Sequence, residues 1–387
     1  MMMVDRPKIL GTLQMKVLFK RRDGNLYCIG TIESDHYISV PEYNAPIIFH
    51  ALSLMDGYRS IAELQACMDR DFEKHVDVAK LVDICCSEGL LTGCMSINES
   101  MGEFHTMLTE LASFSLTGTQ QVFEVVSNVL PFLVLGMLCI DATAVYFVST
   151  GHIEIPWSEY MANPLIFPVI WVIQILSILF HEFSHAVVAK RYGLRPKVVT
   201  LCVFYYFGLA MYVSIPGIYF KAPRARLAIW CAGIFSNAFL SAVFVFIQYT
   251  CGGIWYLIST IGIIINLGII ISNILPILYS DGYYVLSTLL KVPNLRKYSI
   301  WSLKSISRRS CSRMWAVRLI YGFVVVCVLG AFILTQITAI CTSVMQAVSS
   351  GSSLAELICG HINLLLAPIL GIGIRTVTWY GRYRHKI

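Results

Sequence analysis

Long apolar runs, separated by short polar or basic stretches, dominate the chain after residue 124. A helix of about 20 apolar residues spans the hydrocarbon core of a bilayer. Six runs reach that length and predict transmembrane helices at about 125–149, 165–187, 227–249, 254–275, 319–340 and 355–374. The segment 198–220 differs, because it is rich in β-branched and aromatic residues and lies between two basic clusters. It predicts a re-entrant or membrane-surface β-hairpin, with a tightly bent pair of helices as the alternative.

The first 124 residues have shorter periodicities that are typical of a water-soluble domain. Residues 16–95 predict strands followed by three helices, with a hairpin turn at Asp23-Gly24 and a helix capped by Ser60. This order predicts a winged-helix (α+β) domain over residues 1–95. Residues 96–124 are predicted to form a linker, for which an amphipathic helix is one form. The remainder, 125–387, is predicted to be a transmembrane domain with its core at 165–290, so the expected fold class is mainly α.

The composition supports an integral membrane protein. Hydrophobic residues make up 57% of the chain and charged residues 13%, with a mean hydropathy of +0.69. Ordinary soluble domains carry about 25% charged residues. These values exclude a disordered chain, a collagen-like chain and a disulfide-stapled secreted domain. The thirteen cysteines are scattered without a CxxC pair, which favours reduced thiols packed as small apolar residues.

The charges are divided unevenly between the two parts. Residues 1–124 hold 10 Lys/Arg and 17 Asp/Glu (net −7), whereas residues 125–387 hold 19 and 6 (net +13). All basic residues of the second part fall in alternate connections or in the tail, so the positive-inside rule predicts that both termini are cytoplasmic. Residues 1–10 lack the apolar stretch of a signal peptide. We therefore expect an integral membrane protein, located in the lipid bilayer of the bacterial cytoplasmic membrane.

The end of the second predicted span carries an HExxH motif at His181, Glu182 and His185. Positions i and i+4 of a helix share a face, so both imidazoles can reach one Zn²⁺ at about 2.0–2.1 Å. Glu182 would then lie beside the open coordination position, where it can accept a proton from the attacking water. Ionisable groups at membrane depth are costly and are functional by default. The motif thus predicts a zinc site with Glu182 as the catalytic base.

A third metal ligand is expected at the end of the fourth predicted span. Asp281 is one of six carboxylates after residue 124 and follows a helix break at Pro276. It would complete a His₂Asp set and leave one position open. Asn273 lies near the same depth and either contacts the substrate backbone or caps the broken helix. For Asp141 and His361, in the first and sixth spans, a structural contact between helices is preferred.

These motifs together resemble the site-two protease family of intramembrane zinc metalloproteases. The resemblance rests on HEFSH at 181–185, NILP…DG from Asn273 to Gly282, and AGIFSN at 232–237, which looks like the AGPxxN of that family. It covers roughly residues 165–290. The chain departs from the pattern at Ile234, in place of the proline, and at Ser280, in place of an apolar residue. The run after Asp281 is similar to the branch of peptide zinc metalloproteases. The resemblance implies a zinc endopeptidase with Asn237 and Asn273 near the substrate.

The N-terminal domain resembles the PqqD-like domain, which recognises leader peptides in ribosomal peptide pathways. The matching stretches are DGNLYCI, DGYRSIAEL and EGLL, within about 80 residues. The resemblance implies that a peptide adds to a sheet edge beside a helix. A regulatory or structural role is the alternative. Nucleic acid is not an expected partner, because phosphate binding needs a basic surface and this part has a net charge of −7.

These inferences lead to one expected function and two alternatives. The expected function is cleavage of a ribosomally made peptide precursor during its maturation or export, with a peptide exporter as a further partner. The first alternative is cleavage of a membrane-anchored regulator in signalling. The second is a non-catalytic membrane protein for peptide export or immunity.

Overall fold

The computed structural model describes residues 5–21, 24–32, 36–73, 75–94, 108–150, 166–204, 208–276, 279–296, 298–299 and 313–350. Helices dominate these residues, and short strands form two sheets of three strands each. The predicted mainly α class is therefore confirmed.

The N-terminal part is a three-stranded antiparallel sheet followed by three helices. Its strands pair in the order β1 (Leu13–Phe19), β2 (Leu26–Thr31), β3 (His36–Pro41). Its helices are α1 (Ala45–Ser53), α2 (Ile61–Asp71) and α3 (Val78–Ser87). The predicted order, strands followed by three helices, is found, and β1 and β2 pair antiparallel as a hairpin requires. Asp23 of the predicted turn lies outside the described residues. The winged-helix assignment itself is not tested by this order.

Local signals explain where the helices begin and end. Ser60 caps α2 in a reciprocal capping box, since its Oγ accepts from the Glu63 amide and the Glu63 carboxylate accepts from the Ser60 amide. Helix α3 ends at Ser87, and Gly89, with φ +71°, then turns the chain so that the Leu90 amide donates to the Cys85 carbonyl at 2.9 Å. The apolar faces of the three helices then bury a core with the sheet, in which Leu64 and Met68 are each 1% exposed.

One cysteine pair departs from the prediction of reduced thiols. Cys86, at the end of α3, forms a disulfide with Cys94, and their Cα atoms are 5.2 Å apart. The turn at Gly89 reverses the chain and brings the two residues together. Sequence spacing could not show this, because disulfide geometry depends on the path of the backbone between the cysteines.

Four helices of the described residues are long and apolar enough to cross a membrane. They correspond to α4 (Gln120–Thr150), α5 (Ile166–Arg191), α6 (Pro223–Thr250) and α7 (Ile254–Ile274). They match the first four predicted spans. The fifth, 319–340, lies in α9 (Arg313–Ser350), whose shorter apolar stretch is Trp315–Val328. The sixth, 355–374, lies outside the described residues, so a count of six spans stays a prediction.

Helix α6 is central to this part of the fold, since it packs against α4, α5, α7 and the short helix α8 (Asp281–Leu290). Close approach of α6 and α7 depends on a glycine. A Cβ at Gly262 would lie 2.5 Å from the ring of Phe244, so a larger residue would force the helices apart. Buried polar side chains also lie along these contacts. Because lipid provides no hydrophobic driving force between helices, such side chains add to helix association.

Within 198–220, the described residues form two antiparallel strands, as expected for the predicted β-hairpin, and not a pair of helices. Strands β5 (Val198–Phe204) and β6 (Gly208–Ser214) pair antiparallel, and a 3₁₀ turn follows at Ile218–Phe220. The predicted linker needs correction, because β4 (Leu108–Ser115) pairs with β5. The resulting order β4-β5-β6 leaves β6 at one edge of the sheet.

The N-terminal sheet packs directly onto the membrane part. Strand β1 lies against the turn Ile218–Phe220, and the rings of Tyr37 and Tyr219 are 4.6 Å apart. Polar contacts reinforce this interface, since Lys291 Nζ donates to the Lys20 carbonyl at 2.8 Å. The two parts are therefore in contact through both side chains and backbone.

Candidate metal centre

The structure brings the three predicted metal ligands together. Helix α5 places His181 and His185 one turn apart, and α8 brings Asp281 to them at its first residue. Asp281 Oδ2 lies 3.0 Å from His181 Nε2 and 3.3 Å from His185 Nε2. One ligand atom from each residue lies within 4.8 Å of the others, and the two imidazoles are 4–5% exposed. This group could hold a metal ion.

The outer ring nitrogen of each histidine has an acceptor as its partner. His185 Nδ1 lies 2.6 Å from the carbonyl oxygen of Ile229 in α6. A carbonyl only accepts, so Nδ1 of His185 carries the proton. In the neutral ring the Nε2 atom is then an unprotonated lone-pair donor that faces Asp281.

The tautomer of His181 follows from a chain of buried amides across three helices. Asn266 Nδ2 donates to the Gly262 carbonyl at 2.8 Å and to Ser177 Oγ at 3.1 Å, which leaves its Oδ1 as an acceptor. Asn237 Nδ2 donates to that oxygen at 2.7 Å. The Oδ1 of Asn237 therefore accepts from His181 Nδ1, 2.5 Å away, and in the neutral ring His181 Nε2 is the nitrogen without a proton.

Three lone pairs thus converge on one small volume. When both rings are neutral, the two imidazole nitrogens and the carboxylate oxygen repel one another unless a cation lies between them. Two ligands at about 2.0–2.1 Å in a tetrahedral zinc site are roughly 3.3 Å apart, close to the observed separations. The outer contacts from Asn237 and Ile229 are of the kind that orient metal-bound histidines. The residues present therefore fit a divalent metal with nitrogen and oxygen ligands.

A glycine of α6 makes room for the two imidazoles. A Cβ on Gly233 would lie 2.3 Å from His181 Nε2 and 2.6 Å from His185 Nε2. Real Cβ atoms essentially never come within 3.0 Å of such neighbours. The AGIFSN stretch at 232–237 thus contributes two features, a residue without a side chain beside the ligands and Asn237 behind one of them.

Glu182 lies on the same helix between the two ligands and is 9% exposed. Its Oε2 accepts a hydrogen bond from the backbone amide of Val213 at 2.8 Å. Val213 belongs to β6, so this amide points away from β5 and towards the open edge of the sheet. The contact fixes one carboxylate oxygen and places the sheet edge next to the candidate base.

Asp281 owes its position to the break between α7 and α8. The Ser280 hydroxyl donates to the Leu275 carbonyl at 3.0 Å, which turns the chain between the two helices. A Cβ on Gly282 would lie 2.3 Å from the Ile274 carbonyl oxygen, so the glycine permits this close turn.

The structure gives the two predicted substrate-binding amides other contacts. Asn237 is fully buried and its amide is engaged by His181 and Asn266, so we reassign it from substrate contact to orientation of His181. Asn273 Nδ2 donates to the Ile269 carbonyl of its own helix at 3.0 Å, and its contact with the substrate stays a prediction. Asp141 is half-buried in α4 and is not part of the three-ligand group, and His361 lies outside the described residues.

The sequence analysis did not predict the Ile229 carbonyl, the Val213 amide or the buried side chain of Asn266. The first two belong to the backbone, so no residue type signals them. Their roles depend on how α6 and β6 pack against α5, which is a property of the folded chain.

No protein-family model, curated protein or solved structure matches this chain significantly. The resemblance to site-two proteases therefore rests on the sequence motifs alone and stays a prediction.

Proposed function

We propose that this protein is a membrane-embedded zinc endopeptidase that hydrolyses a bond in a peptide substrate. The observation that carries the proposal is the convergence of His181, His185 and Asp281 with Glu182 directly beside them. Two imidazoles and one carboxylate form the ligand set of a catalytic zinc site with an open position. Zinc in this group would lower the pKa of a water molecule to about 7 and polarise the scissile carbonyl.

The other roles fall to the residues of the chain. Glu182 accepts the proton of the attacking water and passes it to the leaving amine, as a general base and then a general acid. The Val213 amide holds Glu182 Oε2 and leaves Oε1 for this transfer. Asn237 and the Ile229 carbonyl keep both imidazoles in the tautomer that presents Nε2 to the metal.

The edge strand β6 suits a substrate in extended form. It carries the amide that contacts Glu182, and no described strand pairs with its other side. A substrate strand that adds to this edge would be held by backbone hydrogen bonds, with little dependence on its side chains. The hairpin would thereby present the cleavage region to Glu182.

The wider setting of the reaction follows the sequence-based expectations. The positive-inside rule favours cytoplasmic termini, and the PqqD-like pattern favours capture of a leader peptide by the N-terminal domain. The substrate would then be a peptide precursor undergoing maturation or export. Cleavage of a membrane-anchored regulator would use the same chemistry.

The test compares the native protein with Glu182→Gln, expressed to equal levels in membranes. We expect the variant to retain stoichiometric zinc and to lose at least 100-fold in cleavage, because the amide cannot accept the proton. Glu124→Gln is the matched control, since Glu124 is a carboxylate near the end of a spanning helix, with a side chain 64% exposed. It should cleave like the native protein. Unimpaired cleavage by a zinc-loaded Glu182→Gln protein would falsify the assignment of the base.

A further inference from the structure

A small, partly open cleft lies where the N-terminal sheet meets α6 and α8, outside the ligand group described above. The N-terminal domain contributes Phe19 and Tyr37 to its walls, and the membrane part contributes Trp230, Tyr283 and Tyr284. Most of the lining is therefore aromatic. Among the described residues of this lining there is one charged side chain, Arg226, and there is no carboxylate.

Arg226 is buried and its hydrogen-bonding capacity is only partly used. The residue is 0% exposed. Its Nη2 donates to the Leu18 carbonyl at 2.7 Å, and its guanidinium lies 4.8 Å from the centre of the Phe19 ring. Within the described part of the chain, Nε and Nη1 have no hydrogen-bond partner, and no ion pair involves this residue.

A buried guanidinium with unused donors is strongly unfavourable unless an acceptor reaches it. A carboxylate is the group in peptides that only accepts and that carries the opposite charge. Hydrogen bonds between such ions are about twice as strong as neutral ones. The aromatic walls would meanwhile cover the apolar part of a peptide segment and exclude water from the ion pair.

The cleft and the metal ligands lie against the same face of α6. Arg226, Trp230, Gly233 and Asn237 follow one another at intervals of four, three and four residues, so they lie along a single stripe. Seven residues separate Arg226 from Gly233, which corresponds to about 10 Å along a helix. An extended peptide covers that distance with about three residues.

We infer that the cleft binds a carboxylate of the peptide substrate, about three residues from the cleaved bond, through Arg226. This inference rests on the proposed peptidase function, because the position of the carboxylate is given relative to the cleaved bond. A peptide fits better than a lipid headgroup, because the N-terminal domain covers the cleft and the stripe leads to the metal ligands.

The test measures binding and cleavage separately, on the full-length protein in nanodiscs. The probes are hexapeptides of alanine and leucine with blocked ends and a neutral dye, each with a single Glu at one of the six positions. The matched series has Gln at the same positions, and a third has no Glu but a free C-terminal carboxylate. Binding is measured by fluorescence anisotropy with Glu182→Gln protein, so that it does not depend on turnover.

We expect one Glu position, or the free C-terminus, to bind at least tenfold more tightly than its neutral match. This preference should fall to less than threefold in Arg226→Gln and should persist in Arg224→Gln, an exposed neighbour on the same helix. In catalytically intact protein, the preferred Glu should lie about three residues from the cleaved bond.

Equal binding of Glu, Gln and free-carboxylate peptides by the parent protein overturns the inference, whether or not Arg226→Gln folds. A preference that survives Arg226→Gln overturns it as well. Displacement by anionic lipid without any peptide preference assigns the site to a headgroup and likewise overturns it. A carboxylate preference in binding, with no cleavage of any peptide by native protein, would support the anion site and reject the peptidase function.

Discussion

Replacement of Gly233 by alanine tests whether the space beside the imidazoles is needed for metal binding. The added Cβ would lie 2.3 Å from His181 Nε2, and it must move by about 0.7 Å to reach even the 3.0 Å limit. The two imidazoles cannot easily move away from the added Cβ, because Asn237 holds His181 and the Ile229 carbonyl holds His185.

The size of this displacement can be compared with what a metal site tolerates. Metal–ligand distances are fixed to about ±0.2 Å, so a shift of 0.7 Å exceeds the tolerance several-fold. Changes to contacts behind a ligand already reduce metal affinity by about 10–100-fold. We expect Gly233→Ala to reduce the zinc affinity at least 100-fold. The Gly→Ala change also stabilises the helix by up to about 1 kcal/mol. We therefore expect the thermal stability of the metal-free protein to fall much less than its zinc affinity.

The assay is competition with a zinc-binding dye on purified, metal-stripped protein, together with thermal unfolding of the same sample. Gly268→Ala is the matched control, because Gly268 lies in the neighbouring helix α7 and an added Cβ there meets nothing within 4 Å. It should bind zinc like the native protein. Native zinc affinity in Gly233→Ala would refute the argument that the ligands need this space.

Two further changes test other parts of the structure. Asn237→Ala should reduce zinc affinity by about 10–100-fold, because His181 loses the acceptor that fixes its tautomer, whereas Asn273→Ala should leave the affinity near native; equal effects of the two changes in the same dye competition would contradict the reassignment of Asn237. Ser60→Ala should destabilise the N-terminal domain by about 1 kcal/mol through loss of the cap on α2. Urea unfolding would show this as a lower midpoint with an unchanged slope, and an unchanged midpoint would count against the cap.

Local patterns in the sequence were sufficient for several parts of this structure. The HExxH spacing placed two imidazoles on one face of α5, and a single carboxylate after a helix break identified Asp281. Ser60 and Gly89 marked ends of helices because caps act within one turn. In each case the signal and the structure that it predicts lie within a few residues of one another, or depend on scarce charges in an apolar background.

Features that depend on distant partners were not accessible in this way. Residues 108–115 form a strand only because β5 is there to pair with them, and their own sequence had favoured a linker. Arg226 appeared to be one basic residue in a cluster, yet it is buried under the N-terminal sheet. Asn237 has the same residue type whether it contacts a substrate or a histidine, and only the packing of α5, α6 and α7 decides between them.

The buried amides behind His181 have a direction as well as a position. The Gly262 carbonyl cannot donate, so the order of donors and acceptors is fixed from α7 through Asn266 and Asn237 to the imidazole. An aspartate at position 266 would have nearly the same shape but, when ionised, could not donate to that carbonyl. Grafting the HExxH helix alone into another helical bundle would therefore not reproduce its chemistry. A designer would have to carry over three helices and the one-way order of their hydrogen bonds.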